Sequence, residues 1–157
     1  MINQFNLKLI LLECFALIFI ISGIDRQYVT YHGDKFDALL NDDIKTFASL
    51  TDIRMGEFFL NQLYWTFASI LIGIIIVSLV NWKNTFGIIN SIIVLILTIG
   101  IYATGFYSSG IINRYLNYFC GIFAKGYGMS FLIGGLIILL VGVLILWKTI
   151  DLNKKHS

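Results

Sequence analysis

The sequence predicts an all-α membrane protein: a bundle of four transmembrane helices with two short outer amphipathic helices. Three observations predict it. Of the 157 residues, 58% are hydrophobic and 13% charged, against about 45–50% and about 25% in soluble domains. Mean hydropathy is +0.85. Four apolar stretches, residues 7–24, 58–80, 86–106 and 129–147, cover or nearly cover a hydrocarbon core of about 30 Å at about 1.5 Å per residue. A spanning segment must satisfy its own backbone hydrogen bonds, so these stretches are helices. The chain has no proline, which leaves glycines as the candidate bend points.

The same composition excludes other classes. So few charges hardly cover the surface of a 17.8 kDa globule. A net charge of +2 does not mark a nucleic-acid partner. Two cysteines exclude a disulfide scaffold and a multi-cysteine zinc module. No nucleophile elbow, H-E-x-x-H, P-loop or dinucleotide glycine pattern occurs. No catalytic residue, metal or cofactor is therefore expected. The expected partners are membrane lipid and other membrane proteins, as a homo- or hetero-oligomer.

The first span, residues 7–24, has a thin basic start and no Ala-x-Ala site, which argues against cleavage as a signal peptide. Leu11-Leu12-Glu13-Cys14 only superficially resembles a lipidation site, because glutamate precedes the cysteine. Glu13 is the sharpest anomaly. A carboxylate about two turns into a span costs several kcal/mol unless paired, protonated or facing water. It is a candidate proton or partner site. Alternatively it fixes helix packing by reaching Asn81, Asn84 or Asn90.

The first outer segment, residues 25–57, carries seven acids against four bases. Asp25, Arg26, His32 and Asp34 cluster where the chain leaves the membrane. A histidine between carboxylates suits acid–base work. The bland alternative is a solvated exit anchored by Arg26. Phe36, Leu39, Leu40, Ile44 and Phe47 recur at helical spacing, which predicts one amphipathic helix over residues 35–50. Asp34 is its candidate N-cap, with Asp37 in the first turn. Its polar face is acidic, which favours packing on protein over anionic lipid. Thr51 or Asp52 then caps the second span.

In the remaining spans small residues recur four apart: Ser69/Gly73, Gly87/Ser91, Gly100/Thr104 and Ser130/Gly134. Such pairs let helix backbones approach closely. Asn90, Ser91, Thr98 and Thr104 are read as bridges between helices. In the second outer segment, residues 107–128, Ile112, Leu116, Phe119 and Phe123 predict a short interfacial helix with Asn113, Arg114 and Asn117 facing away.

Four spans put both termini on one side. Five lysines crowd the short terminal-side segments, and six basic residues spread over the longer outer loops. That density places both termini in the cytoplasm of a multi-pass cell-membrane protein. The tyrosines all fall in outer loops or outer half-spans and read as interfacial anchors, with Trp65. Trp82, Phe86 and Trp147 mark the inner interface. Cys14 and Cys120 fall on opposite sides and cannot bond within one chain. No internal repeat occurs.

The run F-I-I-S-G-I-D-R at residues 19–26 resembles the opening of DoxX-like membrane proteins. The resemblance implies a four-helix membrane subunit, sometimes linked to quinone or sulfur redox partners. It carries over no catalytic residue. The long acidic outer segment and residues 107–128 depart from that family's compact pattern.

Two functional classes follow. One is a non-catalytic accessory subunit that binds a partner through its outer acidic segment. The other is a small transporter, or a redox or proton-coupled subunit, centred on Glu13.

Overall fold

A computed structural model describes residues 7–81, 87–105, 107 and 111–154, excepting the side chains of 87, 88 and 151–154. The chain is helical: α1 (Leu7–Tyr31), α2 (Gly33–Leu40), α3 (Ile44–Ser49), α4 (Met55–Asn81), α5 (Gly87–Ala103), α6 (Ile111–Gly121) and α7 (Tyr127–Lys154). No strand occurs among the described residues. Three stretches are long and apolar enough to cross a membrane: Leu7–Tyr31, Met55–Asn81 and Tyr127–Ile150. The fourth apolar helix, α5, has 17 residues, a length of about 25 Å. Trp82, Lys83, Asn84, Phe86, Phe106 and His156 lie outside the described residues.

α1 is the central helix and packs against α7, α4 and α5. Small residues make its contact with α7 possible. A Cβ at Gly142 would lie 2.9 Å from the Ile20 nitrogen and 3.0 Å from the Ala16 carbonyl oxygen. At Gly135 it would lie 3.4 Å from the Gly23 oxygen, and at Gly128 3.6 Å from the Thr30 oxygen. Gly128, Gly135 and Gly142 thus face Thr30, Gly23 and Ala16, both series at seven-residue steps and running antiparallel. A seven-residue repeat keeps one seam facing the partner helix, and small side chains on it let the backbones close.

Gly73 seats α4 on Leu17 and Ile21 of α1, beside fully buried Ser69. Gly134 serves a different contact. A Cβ at Gly134 would lie 2.6 Å from the Cys120 Cα, so Gly134 brings α6 onto α7, while the Ser130 hydroxyl donates to the Gly126 carbonyl at 2.7 Å. Gly87 opens α5, and Ser91 accepts a hydrogen bond from Asn81 at 3.1 Å. Gly100/Thr104 meets no helix among the described residues: none of them lies within 4 Å of a Cβ at Gly100, and the Thr104 hydroxyl donates to the Gly100 carbonyl in its own helix at 2.6 Å.

The single amphipathic helix expected over residues 35–50 is two helices. Asp42 takes a left-handed φ of 53°, which a short polar side chain tolerates better than most. Asp43 then caps α3 by accepting from the Thr46 nitrogen at 3.0 Å. Asp34 is in the first turn of α2, and the N-cap position is His32, which makes no side-chain capping bond. Phe47 still turns inward, into a cluster with Tyr28, Ala38 and Phe58. α2 reaches α7 as well: Gly33 abuts Gly128, and Asp37 accepts from the Tyr127 nitrogen at 3.3 Å. α2, α3 and α6 therefore gather at one end of the long helices.

Gly142→Ala is expected to lower stability by about 1–3 kcal/mol, because its new methyl meets backbone and the helices must part. Gly100→Ala is expected to leave stability unchanged or raise it by less than about 1 kcal/mol, through helix propensity alone. Thermal unfolding of the purified protein in detergent measures both.

Candidate functional site

α1 carries two buried charged side chains, one near each end. Glu13 is 0% exposed. Nδ2 of Asn81, at the end of α4, donates to its Oε2 at 2.8 Å and to Ser91 of α5 at 3.1 Å. One amide thereby ties α1, α4 and α5 together. Asn81 is thus the partner among the three asparagines expected. Among the described residues the second carboxyl oxygen, Oε1, is buried without a hydrogen bond, as are the amide oxygens of Asn81 and Asn90. Thr98, read as a bridge, is fully buried, and its hydroxyl has no partner among the described residues.

Arg26 is 2% exposed and lies about one and a half turns before the end of α1 at Tyr31. Its Nη1 donates to the Ser22 carbonyl at 3.0 Å and to the Tyr107 hydroxyl at 3.3 Å. Its Nη2 donates to the Asn113 side-chain oxygen at 3.2 Å and to that of Asn117 at 2.7 Å. Tyr107 donates in turn to the Ser22 hydroxyl at 2.8 Å. The Phe131 ring of α7 lies with its centroid 5.9 Å from the guanidinium carbon. Both α6 amides therefore reach Arg26, against the expectation that Asn113 and Asn117 point away, although Asn117 is itself exposed, as is Arg114. Exposed Ile111, Tyr115, Tyr118 and Ile122 occupy the outer face instead.

Asp25, Arg26, His32 and Asp34 do not form one cluster. Successive helical residues point about 100° apart, so Asp25 turns to α4 while Arg26 turns to α6 and α7. Thr66 donates to Asp25 Oδ1 at 2.6 Å, and the Trp65 indole donates to the Ile24 carbonyl at 3.0 Å. His32 lies among rings, with centroid distances of 4.5 Å to Tyr28 and 5.4 Å to Phe58. Burial, aided by the Lys35 charge, holds its imidazole below the ordinary value of 6.5. Asp34 is exposed. Among the described residues no three His, Cys, Asp or Glu side chains converge as metal ligands.

The tyrosines divide between two roles. Tyr31, Tyr64, Tyr115 and Tyr118 are exposed, as anchors would be. Tyr28 and Tyr107 are buried, and Tyr28 donates to the Phe58 carbonyl at 3.0 Å. Both cysteines are free and buried, and burial pushes the Cys120 thiol up. The residues that sequence reasoning missed are Tyr107, Asn113 and Asn117. The i, i+4 spacing of the two asparagines was the available signal, since it puts both amides on one helix face.

Fold and site together define a class: a small helical protein with three helices long and apolar enough to cross a membrane. Comparison with family models, curated proteins and solved structures finds no match.

Asn81→Ala leaves Glu13 without its donor and is expected to cost about 1–3 kcal/mol in unfolding free energy. Cys120 is expected to resist maleimide in the folded protein and to react on denaturation, which quantitative labelling reads. For His32 the folded value lies below the unfolded one. As pH falls through about 6.5 the unfolded chain takes the proton first, so stability falls. A His32→Phe variant is expected to show a flatter melting-temperature profile between pH 7 and 5.

Proposed function

We propose that this protein crosses the cell membrane four times, through α1, α4, α5 and α7, with both termini in the cytoplasm. On this reading it is a non-catalytic accessory subunit that docks a partner on its acidic outer end. One observation carries the reading. Leu40, Ile44 and Leu50 are exposed on α2 and α3, among exposed Asp34, Asp42, Asp52 and Glu57. Exposed acids outnumber the exposed bases Lys45 and Arg54 in this segment, and apolar side chains with an acidic excess suit a partner segment that is both apolar and basic, since charge complementarity steers and orients docking. At 17 residues α5 falls at the short end of the spanning range, about 17–25. Its exposed Ile89, Ile92, Ile96 and Ile99 suit lipid contact.

A second reading, a proton-coupled subunit, is favoured by fully buried Glu13, whose Oε1 has no partner among the described residues. The DoxX-like resemblance of residues 19–26 is compatible with either reading and assigns no residue a role.

Pull-down in mild detergent with Asp42→Asn and Asp52→Lys separates the readings. If the acidic end docks a partner, the double variant folds normally and loses at least about tenfold in capture, or about 1.4 kcal/mol. Equal capture by wild type and variant counts against docking there. If Glu13 is the working group, Glu13→Gln abolishes the cellular phenotype while capture is unchanged.

A further inference from the structure

We propose that the partner docked on the acidic outer end is a second copy of this chain, whose α6 lies across α2 and α3 of the first. The proposal rests on the reading that this end docks a partner, and it names that partner. α6 offers the surface that suits α2 and α3. Tyr115, Tyr118 and Ile122 are 69%, 75% and 66% exposed, so among the described residues little covers them. They stand at i, i+3 and i+7, the spacing with which an amphipathic helix anchors itself on another surface. Tyrosine and arginine are enriched among the residues that carry binding energy at interfaces, and exposed Arg114 lies beside Tyr115. Exposed Lys125 follows the helix. The chain has no acidic residue between Glu57 and Asp151, so this segment is basic where the first outer segment carries an acidic excess. Asp37, the α2 acid that does reach this region of its own chain, is bonded to the Tyr127 nitrogen.

Position favours a second copy over a lipid surface. α2, α3 and α6 gather at the same end of the long helices, so in copies inserted the same way round the two surfaces stand at one height. The acidic face of α2 and α3 is the wrong sign for anionic lipid. α6 is the apolar and basic surface that the chain itself supplies at that height and in equal number. Both surfaces are formed before they meet: Arg26 holds α6 through Asn113 and Asn117, and Asp43 caps α3. Such preorganisation lowers the ordering cost of association. Exposed Leu40, Ile44 and Leu50 then take the apolar side chains of α6, and exposed Asp42 and Asp52 meet its cations.

The test co-expresses two differently tagged forms of the full chain and purifies one in mild detergent. Wild type is expected to bring down its other tagged copy. One variant carries Arg114→Glu and Lys125→Glu, the other Asp42→Lys and Asp52→Lys. Each is expected to lose co-purification with its own kind at least about tenfold, because like charges are brought together. Co-expressed with each other, the two are expected to restore it to within about twofold of wild type, since every contact again joins unlike charges. Tyr118→Ala keeps every charge and is expected to weaken self-association at least about tenfold with the melting temperature unchanged. A monomeric wild type overturns the proposal. If capture of another protein then still depends on Asp42 and Asp52, the docking reading stands without it; if not, both fall. Self-association that persists in all three variants, or that the mixed pair does not restore, also overturns it. So does an α6 variant that self-associates as wild type but loses stabilisation by added phosphatidylglycerol, which assigns α6 to lipid headgroups.

Discussion

The close approach of α1 and α7 is the contact on which the rest depends. Apolar side chains gain little by leaving lipid for a helix partner, so association in a bilayer rests on close packing and on hydrogen bonds between helices. The facing series Ala16, Gly23, Thr30 and Gly142, Gly135, Gly128 supplies the packing along the length of α1. With α7 seated there, α4 takes the next flank of α1 through Gly73. α6 is drawn onto α7 at Gly134. Burial of Glu13 and Arg26 follows from this arrangement: both lie on the faces of α1 covered by neighbouring helices, while Leu11 and Phe15 take its exposed face.

The two charges lie 13 residues apart, about 20 Å along the axis, too far to pair. Each sits more than a turn from its end of α1, beyond the reach of the helix dipole. Each is bound by neutral side chains from other helices: Asn81 in one case, and Tyr107, Asn113 and Asn117 in the other. These hydrogen bonds supply the directional fixing that apolar contacts lack. They set the rotation of α1 against α4 and of α6 against α1.

The coarse architecture was legible because hydropathy is a local property. A run of apolar residues long enough to span declares itself without reference to its neighbours, as residues 7–24, 58–80 and 129–147 did. Each continued in the structure as a longer helix, since helical hydrogen bonding does not stop where apolar composition does. Glu13 was legible for the same reason, as a charge in an apolar run, and its partner was among three nearby asparagines. The partition of residues 25–34 was not. Asp25 and Arg26 are neighbours in sequence but face different helices, which only the packing decides. The break between α2 and α3 had a signal, Asn41-Asp42-Asp43, three turn-forming residues in a row, yet the apolar spacing runs through it. Small residues four apart were sought because that spacing is common at helix contacts. The main seam uses a spacing of seven, and Gly100 shows that a glycine matching the pattern still needs an opposing helix.

The distribution of polarity narrows the kind of work the chain performs. Along α4 and α7 the outward faces are mostly isoleucine, leucine, valine and phenylalanine, with Tyr64, Trp65 and Trp147 among them, and the aliphatic majority has no chemistry beyond contact with lipid or another apolar helix. The polar groups of the long helices are instead largely committed internally, to Glu13, Arg26 and the backbone. Charge that meets water is concentrated at the end formed by α2, α3 and α6. Specificity toward another molecule requires groups that can be satisfied or left unsatisfied by it. In this fold such groups are found in two places: on the acidic outer surface, and among the buried polar groups beside α1. The first is exposed and the second is enclosed by the helices around α1.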